Sequence, residues 1–75
     1  MDKTQKELKA RTDKWKEKLD ERLSEPTPMI PEHIMENIKS YRKDADHFLD
    51  KGDFIRAFEA VVWAWAWLEI YDGMQ

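Results

Sequence analysis

Apolar residues recur along this chain in three helical patterns separated by two breaks. Leu8, Thr12, Trp15, Leu19 and Leu23 fall at intervals of three and four, forming one narrow stripe on a charged or small-residue background. Thr4 and Glu7 have the spacing of a capping box, which predicts a first helix over about residues 4–24. The segment SEPTPMIP (residues 24–31) then stops it. Three prolines in six residues remove backbone donors and bias Glu25, Thr27 and Ile30 away from the helical region. A linker of this kind, residues 25–30, is stiff and semi-extended. Met29 and Ile30 are expected to be pinned onto the bundle, and Pro31 suits the first turn of the next helix.

The second pattern is again a single face: Ile34, Ile38, Tyr41, Ala45, Phe48 and Leu49, over about residues 31–51. Gly52 stands where a helix closes with a left-handed residue, and Asp53 is placed to cap the next helix. So short a connection predicts an antiparallel hairpin of helices 2 and 3, about residues 31–72. The third pattern, about residues 54–71 with Gly73 ending it, is apolar on nearly its whole circumference. Phe54, Ala57, Phe58, Val61, Ala64, Trp65 and Leu68 gather on one side at 100° per residue, the expected core face. Arg56, Ala60, Trp63, Trp67, Ile70 and Tyr71 gather near the opposite side. A helix like this needs cover on more than one side. Helix 1 either folds across the second set or sits in the groove between helices 2 and 3, leaving that set to another chain.

Size sharpens that choice. Seventy-five residues make one domain, residues 1–75, and so short a chain buries only about 60% of its unfolded surface. With no cysteine, neither a disulfide nor a thiolate metal site can staple it, so the long apolar helix and oligomerisation are the remaining supports. Interfaces favour Trp flanked by Arg, and an alanine permits close helix approach. Arg56, Ala60, Trp63, Trp67, Ile70 and Tyr71 are therefore the interface candidates, for a homo-oligomer or a protein partner, with a two-fold pair as the expected form.

Charge narrows the partners further. The net charge is −3, with 39% charged and 41% apolar residues, the mixture of a globular helix-former. Residues 1–25 carry eight Lys/Arg against seven Asp/Glu, and residues 26–75 carry five against nine. No basic face stands out, which argues against nucleic acid. Glu59 and Glu69 interrupt the most apolar stretch, and the charges around it are not lysine-rich, which argues against a bilayer span or membrane-surface binding. The opening MDKTQKELKA lacks the apolar core of a signal peptide, so a soluble, cytoplasmic protein is expected.

Residues 41–69, YRKDADHFLDKGDFIRAFEAVVWAWAWLE, carry a more specific signature. A Tyr, an Asp-Ala pair, an aromatic-Leu pair, Lys-Gly-Asp, Ala-Phe and an aromatic-Ala step occur in that order. They are Tyr41, Asp44, Ala45, Phe48, Leu49, Lys51, Gly52, Asp53, Ala57, Phe58, Trp63 and Ala64. This resembles the hallmark of a small, mostly archaeal helical-bundle family known as domain of unknown function 357. The resemblance implies a compact three-helix bundle of uncharacterised function. It covers the second half of the chain well and the first helix loosely. The family more often has Gly and Asp after the aromatic-Ala step; Trp65, Ala66 and Glu69 here imply a bulkier packing surface. The same run is similar to one tetratricopeptide hairpin, but there is no second copy, so a repeat array is excluded.

Two constellations offer chemistry. Asp44, Asp46, His47, Asp50 and Asp53 crowd the end of helix 2, where a weak divalent-ion site is geometrically possible. Their spacing lacks the D-x-D-x-D-G order of a calcium loop, and a solvated acidic face with one helix cap fits better. Arg42 and His47 have the spacing of a helical-bundle ribonuclease motif, which needs two copies across a dimer; Arg42 lies at the edge of the core stripe and His47 nearly opposite. His33, near a helix start, is expected at the surface. There is no Gly-rich phosphate loop, no catalytic triad and no pair of carboxylates in an apolar setting. The expectation is an all-α three-helix bundle, non-enzymatic and without a cofactor, acting as a self-associating interaction or scaffold domain. The alternative is an ion-binding or nuclease-like role for the acidic end of helix 2.

Overall fold

A computed structural model describes residues 2–72. It is an all-α three-helix bundle: α1 (Lys3–Leu23), α2 (Glu32–Asp50) and α3 (Phe54–Asp72). Helices α2 and α3 form an antiparallel hairpin, and α3 is the central element, packing along both α2 and α1. Trp15 meets Trp65, and Arg22 bonds Asp72, each pair fifty positions apart. Helix α1 therefore runs parallel to α3, giving an up-down-up bundle. Its long axis is 41 Å and its cross-section 18 × 17 Å.

The helix ends obey local chemistry, with two shifts from the sequence expectation. The capping box is formed by Asp2 and Gln5, not by Thr4 and Glu7. The Asp2 carboxylate accepts from Gln5 N–H at 2.8 Å, and the Gln5 side chain accepts from Asp2 N–H at 3.4 Å. An aspartate at this position adds a negative charge at the positive end of the helix, an advantage Thr4 lacks. Pro31 is the residue before α2 rather than in its first turn. Its extended backbone carries a carbonyl that accepts from Ile34 and Met35. In the linker Ile30 is buried while Met29 stays exposed, so only one of the pair is pinned.

The hairpin turn is a Schellman motif. Asp53 N–H bonds Phe48 C=O at 2.9 Å and Gly52 N–H bonds Leu49 C=O at 3.1 Å, closing the end of α2. Gly52 has φ +75°, the positive value this closure demands. Asp53 then accepts from Arg56 N–H through its carboxylate, capping α3. Gly73 lies outside the described residues.

Two adjoining buried clusters form the interior. Leu19, Ile30, Ile34, Ile38, Ala64 and Leu68 make the larger one, with Leu23, Met35, Tyr41, Trp65, Trp67 and Tyr71 packed against it. Ala45, Ala60 and Val61 make the smaller, and Trp65 touches both. Alanines at 45, 57, 60 and 64, all buried, let α2 and α3 approach closely. Thr12 is also fully buried, its hydroxyl satisfied by donating to Leu8 C=O at 2.8 Å.

Candidate interaction surface

Helix α3 divides its circumference three ways. One arc faces α2, a second faces α1, and a third faces outward with large apolar side chains left open: Ile55 at 66% exposure, Val62 at 47%, Trp63 at 56% and Ile70 at 53%. Isolated exposed hydrophobics are ordinary, but these share one helix face. The six interface candidates read from the sequence do not stay together. Ala60 is buried at the α2 crossing, and Trp67 and Tyr71 are half-buried against the larger cluster, their rings stacked at 6.4 Å. Arg56, Trp63 and Ile70 remain outside. Arg56 and Trp63 border a shallow groove of about 200 Å³ beside α2, with Tyr41, Asp44 and Phe48 on its other wall.

The larger concavity lies on the other flank, which sequence reasoning does not single out. It is an open groove of about 610 Å³ between α1 and α3, lined by Arg11, Trp15, Phe58, Val61, Val62, Trp65, Ala66 and Glu69. Phe58 and Trp65, expected in the core, are both half-buried in this wall. The reason is steric. Trp15 meets Trp65 edge-on, centroids 6.1 Å apart at 86°, and the Trp65 indole N–H donates to Trp15 C=O at 3.1 Å. Two bulky rings meeting this way prop the helices apart and leave the groove open. Lys18 sits over the Trp15 ring at 4.7 Å and helps hold it in place. The signal is present in the spacing of Phe58, Val62, Trp65 and Glu69, a second seam at intervals of three and four, overlapped by the stronger core stripe.

At the acidic end of α2, Asp46 is engaged in an ion-pair network while Asp44 and Asp50 stay exposed. Arg42 bridges Asp20 on α1, at 2.7 and 2.8 Å, and Asp46 on its own helix at 2.8 Å; Lys16 adds a 2.9 Å bond to Asp46. The hydrogen bond to Asp20 outweighs burial and, with Asp46, holds the Arg42 pKa above its ordinary value. Burial pushes the Asp46 carboxyl up, but bonds from Lys16 and Arg42 outweigh it, and the net displacement is downward. These charges tie α1 to α2. Asp53 is engaged at the α3 cap, and His47 is exposed against the Phe48 ring. Among the described residues no three His, Cys, Asp or Glu side chains gather as a metal-holding group. Arg42 is bound to two carboxylates, Asp20 and Asp46. Among the described residues, no helix is long and apolar enough to cross a membrane.

A family model described as "Protein of unknown function (DUF357)" matches residues 8–72. No curated protein and no solved structure matches the chain.

Proposed function

The chain belongs to the DUF357 family, whose function is unknown, and from that premise we propose that it is a small helical interaction module that self-associates through the outward face of α3. The observation that carries this reading is the run of open apolar side chains, Ile55, Val62, Trp63 and Ile70, on a helix already packed on both other arcs. A bundle this small gains little from leaving them in water. Fully burying a large apolar side chain is worth about 1.5–3 kcal/mol, and these start about half exposed, so each gains roughly half of that. A self-complementary patch buries itself twice under a two-fold axis, which makes a second copy the simplest partner. The reading is non-enzymatic and places the module in the cytoplasm, recognising protein rather than nucleic acid or membrane. No cofactor enters it.

Sedimentation across a micromolar-to-millimolar range tests the proposal. The expected result is a monomer–dimer equilibrium that Val62→Glu and Trp63→Glu together abolish while helical circular dichroism persists, since both positions are exposed. A native protein that remains a monomer at the highest concentration refutes it.

A further inference from the structure

The α1–α3 groove carries an arginine towards one end and a glutamate towards the other, with an apolar floor between them. Because α1 and α3 run parallel with a fifty-residue offset, Arg11 stands level with Val61. Glu69 lies eight residues further along α3, about 12 Å at 1.5 Å per residue. Among the described residues neither side chain has an ion-pair partner within the chain. Both line the groove. Other arginines of the bundle behave differently: Arg22, Arg42 and Arg56 each have a carboxylate at hand. The one arginine without a carboxylate partner among the described residues, and one of the glutamates, thus flank the α1–α3 groove and are left to an outside partner.

We infer that the groove is the seat of the second copy, which docks antiparallel about a two-fold axis passing near Trp65 and Ala66, so that Arg11 of each copy meets Glu69 of the other. This rests on the self-association proposed above and moves the centre of the contact from the Trp63 and Ile70 flank to the groove side of α3, with Val62 common to both. A two-fold axis perpendicular to a groove exchanges its ends. A groove basic at one end and acidic at the other therefore matches itself with both charges satisfied, whereas a parallel arrangement sets like charges together. The midpoint between the Arg11 and Glu69 levels falls at Trp65, one residue before Ala66. Ala66, the smallest side chain in the lining, stands where the two α3 helices cross and permits their approach. Val62 and Phe58 then pass into the partner's groove beside Trp15. The assembly is a four-helix contact of α1 and α3 from each copy, with α2 on the outside.

Charge reversal tests the pairing on the whole chain. Arg11→Glu alone and Glu69→Arg alone should each weaken the dimer by at least about tenfold, because each places like charges at both ends of the contact. Arg11→Glu combined with Glu69→Arg should restore the dimer to within about threefold of the native affinity, a rescue that a merely destabilised fold would not show. Both positions are exposed, so helical circular dichroism should match the native chain throughout. A native dimer that neither single reversal weakens, or that the double reversal fails to restore, overturns this geometry and leaves self-association through another part of α3 standing. A native chain that is monomeric throughout overturns both.

Discussion

The docking of α1 can be measured through a single pair, Trp15 and Trp65. Helix α1 is the least apolar of the three, and the edge-on contact at 6.1 Å is its main aromatic hold on α3. Truncating Trp65 to alanine returns to water roughly 150 Å² of apolar surface, about 3–4 kcal/mol at ~25 cal/mol/Å². No closed void adds to that cost, since the groove is already open to solvent. Trp15→Ala should cost less, about 2–3 kcal/mol, because 41% of that residue is exposed in the folded chain. The informative quantity is their coupling. An edge-to-face pair contributes about 0.5–1.5 kcal/mol beyond its area, and the double-mutant cycle isolates that amount. Urea unfolding monitored by far-ultraviolet circular dichroism reads the four stabilities. A domain of this length is stable by only about 4–11 kcal/mol, so Trp65→Phe, which keeps a ring and loses the N–H, substitutes where the alanine variant does not fold. Coupling below about 0.3 kcal/mol, the ordinary error of additivity, would mean that α1 is not docked through this pair.

The fold sets three further outcomes. Gly52→Ala should cost about 1 kcal/mol in thermal or urea unfolding; a Cβ there meets nothing within 4 Å, so the whole penalty is the positive φ, and an unchanged melting curve would contradict it. Ile38→Ala should cost about 2–5 kcal/mol, since the side chain is fully buried in the larger cluster; a normal melting temperature would displace that cluster from α2. Asp46 has a folded pKa below its unfolded value, so its contribution to stability is fully present above the ordinary carboxylate range of about 4 and is lost as pH falls through the depressed folded value. Because the carboxylate is half exposed, Asp46→Asn should cost no more than about 1 kcal/mol at neutral pH and should flatten the acid limb of the stability profile; an unaltered limb would deny the network its role.

Legibility in the sequence tracks how local each signal is. Gly52-Asp53 marks the hairpin turn because both its hydrogen bonds and its positive φ are set within six residues. The α2 stripe of Ile34, Ile38 and Ala45 names its buried face because that helix has only one. The start of α1 is misplaced by sequence reasoning because Thr4-Glu7 and Asp2-Gln5 are both adequate boxes two residues apart, and only the energetics of the helix end choose between them. Trp65 reads as core because its angle on the wheel lies beside that of Val61. The wheel cannot say how far a neighbouring helix stands off, and the Trp15 ring sets that distance. The Arg42–Asp20 and Lys16–Asp46 salt bridges span helices and leave no mark in local spacing.

Helix spacing also decides where the apolar excess of α3 settles. The outward set read from the sequence lies opposite the Val61 stripe, with helix 1 and another chain left as the alternative covers. Instead α2 reaches round as far as Ala60, where two alanines meet, and the base of the bundle takes in Trp67 and Tyr71 beside the Ile30 and Ile34 cluster. Small residues at 45, 57, 60 and 64 make this deeper cover possible, since close approach of two helices widens the arc that each screens. Helix α1 cannot do likewise: its stripe carries Trp15 where an alanine would be needed, so it stands away from α3 and leaves a groove. The uncovered arc accordingly extends at Val62 into the groove wall, next to Arg11 and Glu69, which have no ion-pair partner among the described residues. An Ile55→Ser or Ile70→Ser change tests this displacement, because each removes outward surface without touching the groove lining. On the paired-groove geometry either change should weaken association by less than about threefold, whereas Val62→Ser should weaken it by about tenfold. The reverse ranking, read by sedimentation of the three variants, would return the contact to the Trp63 and Ile70 flank.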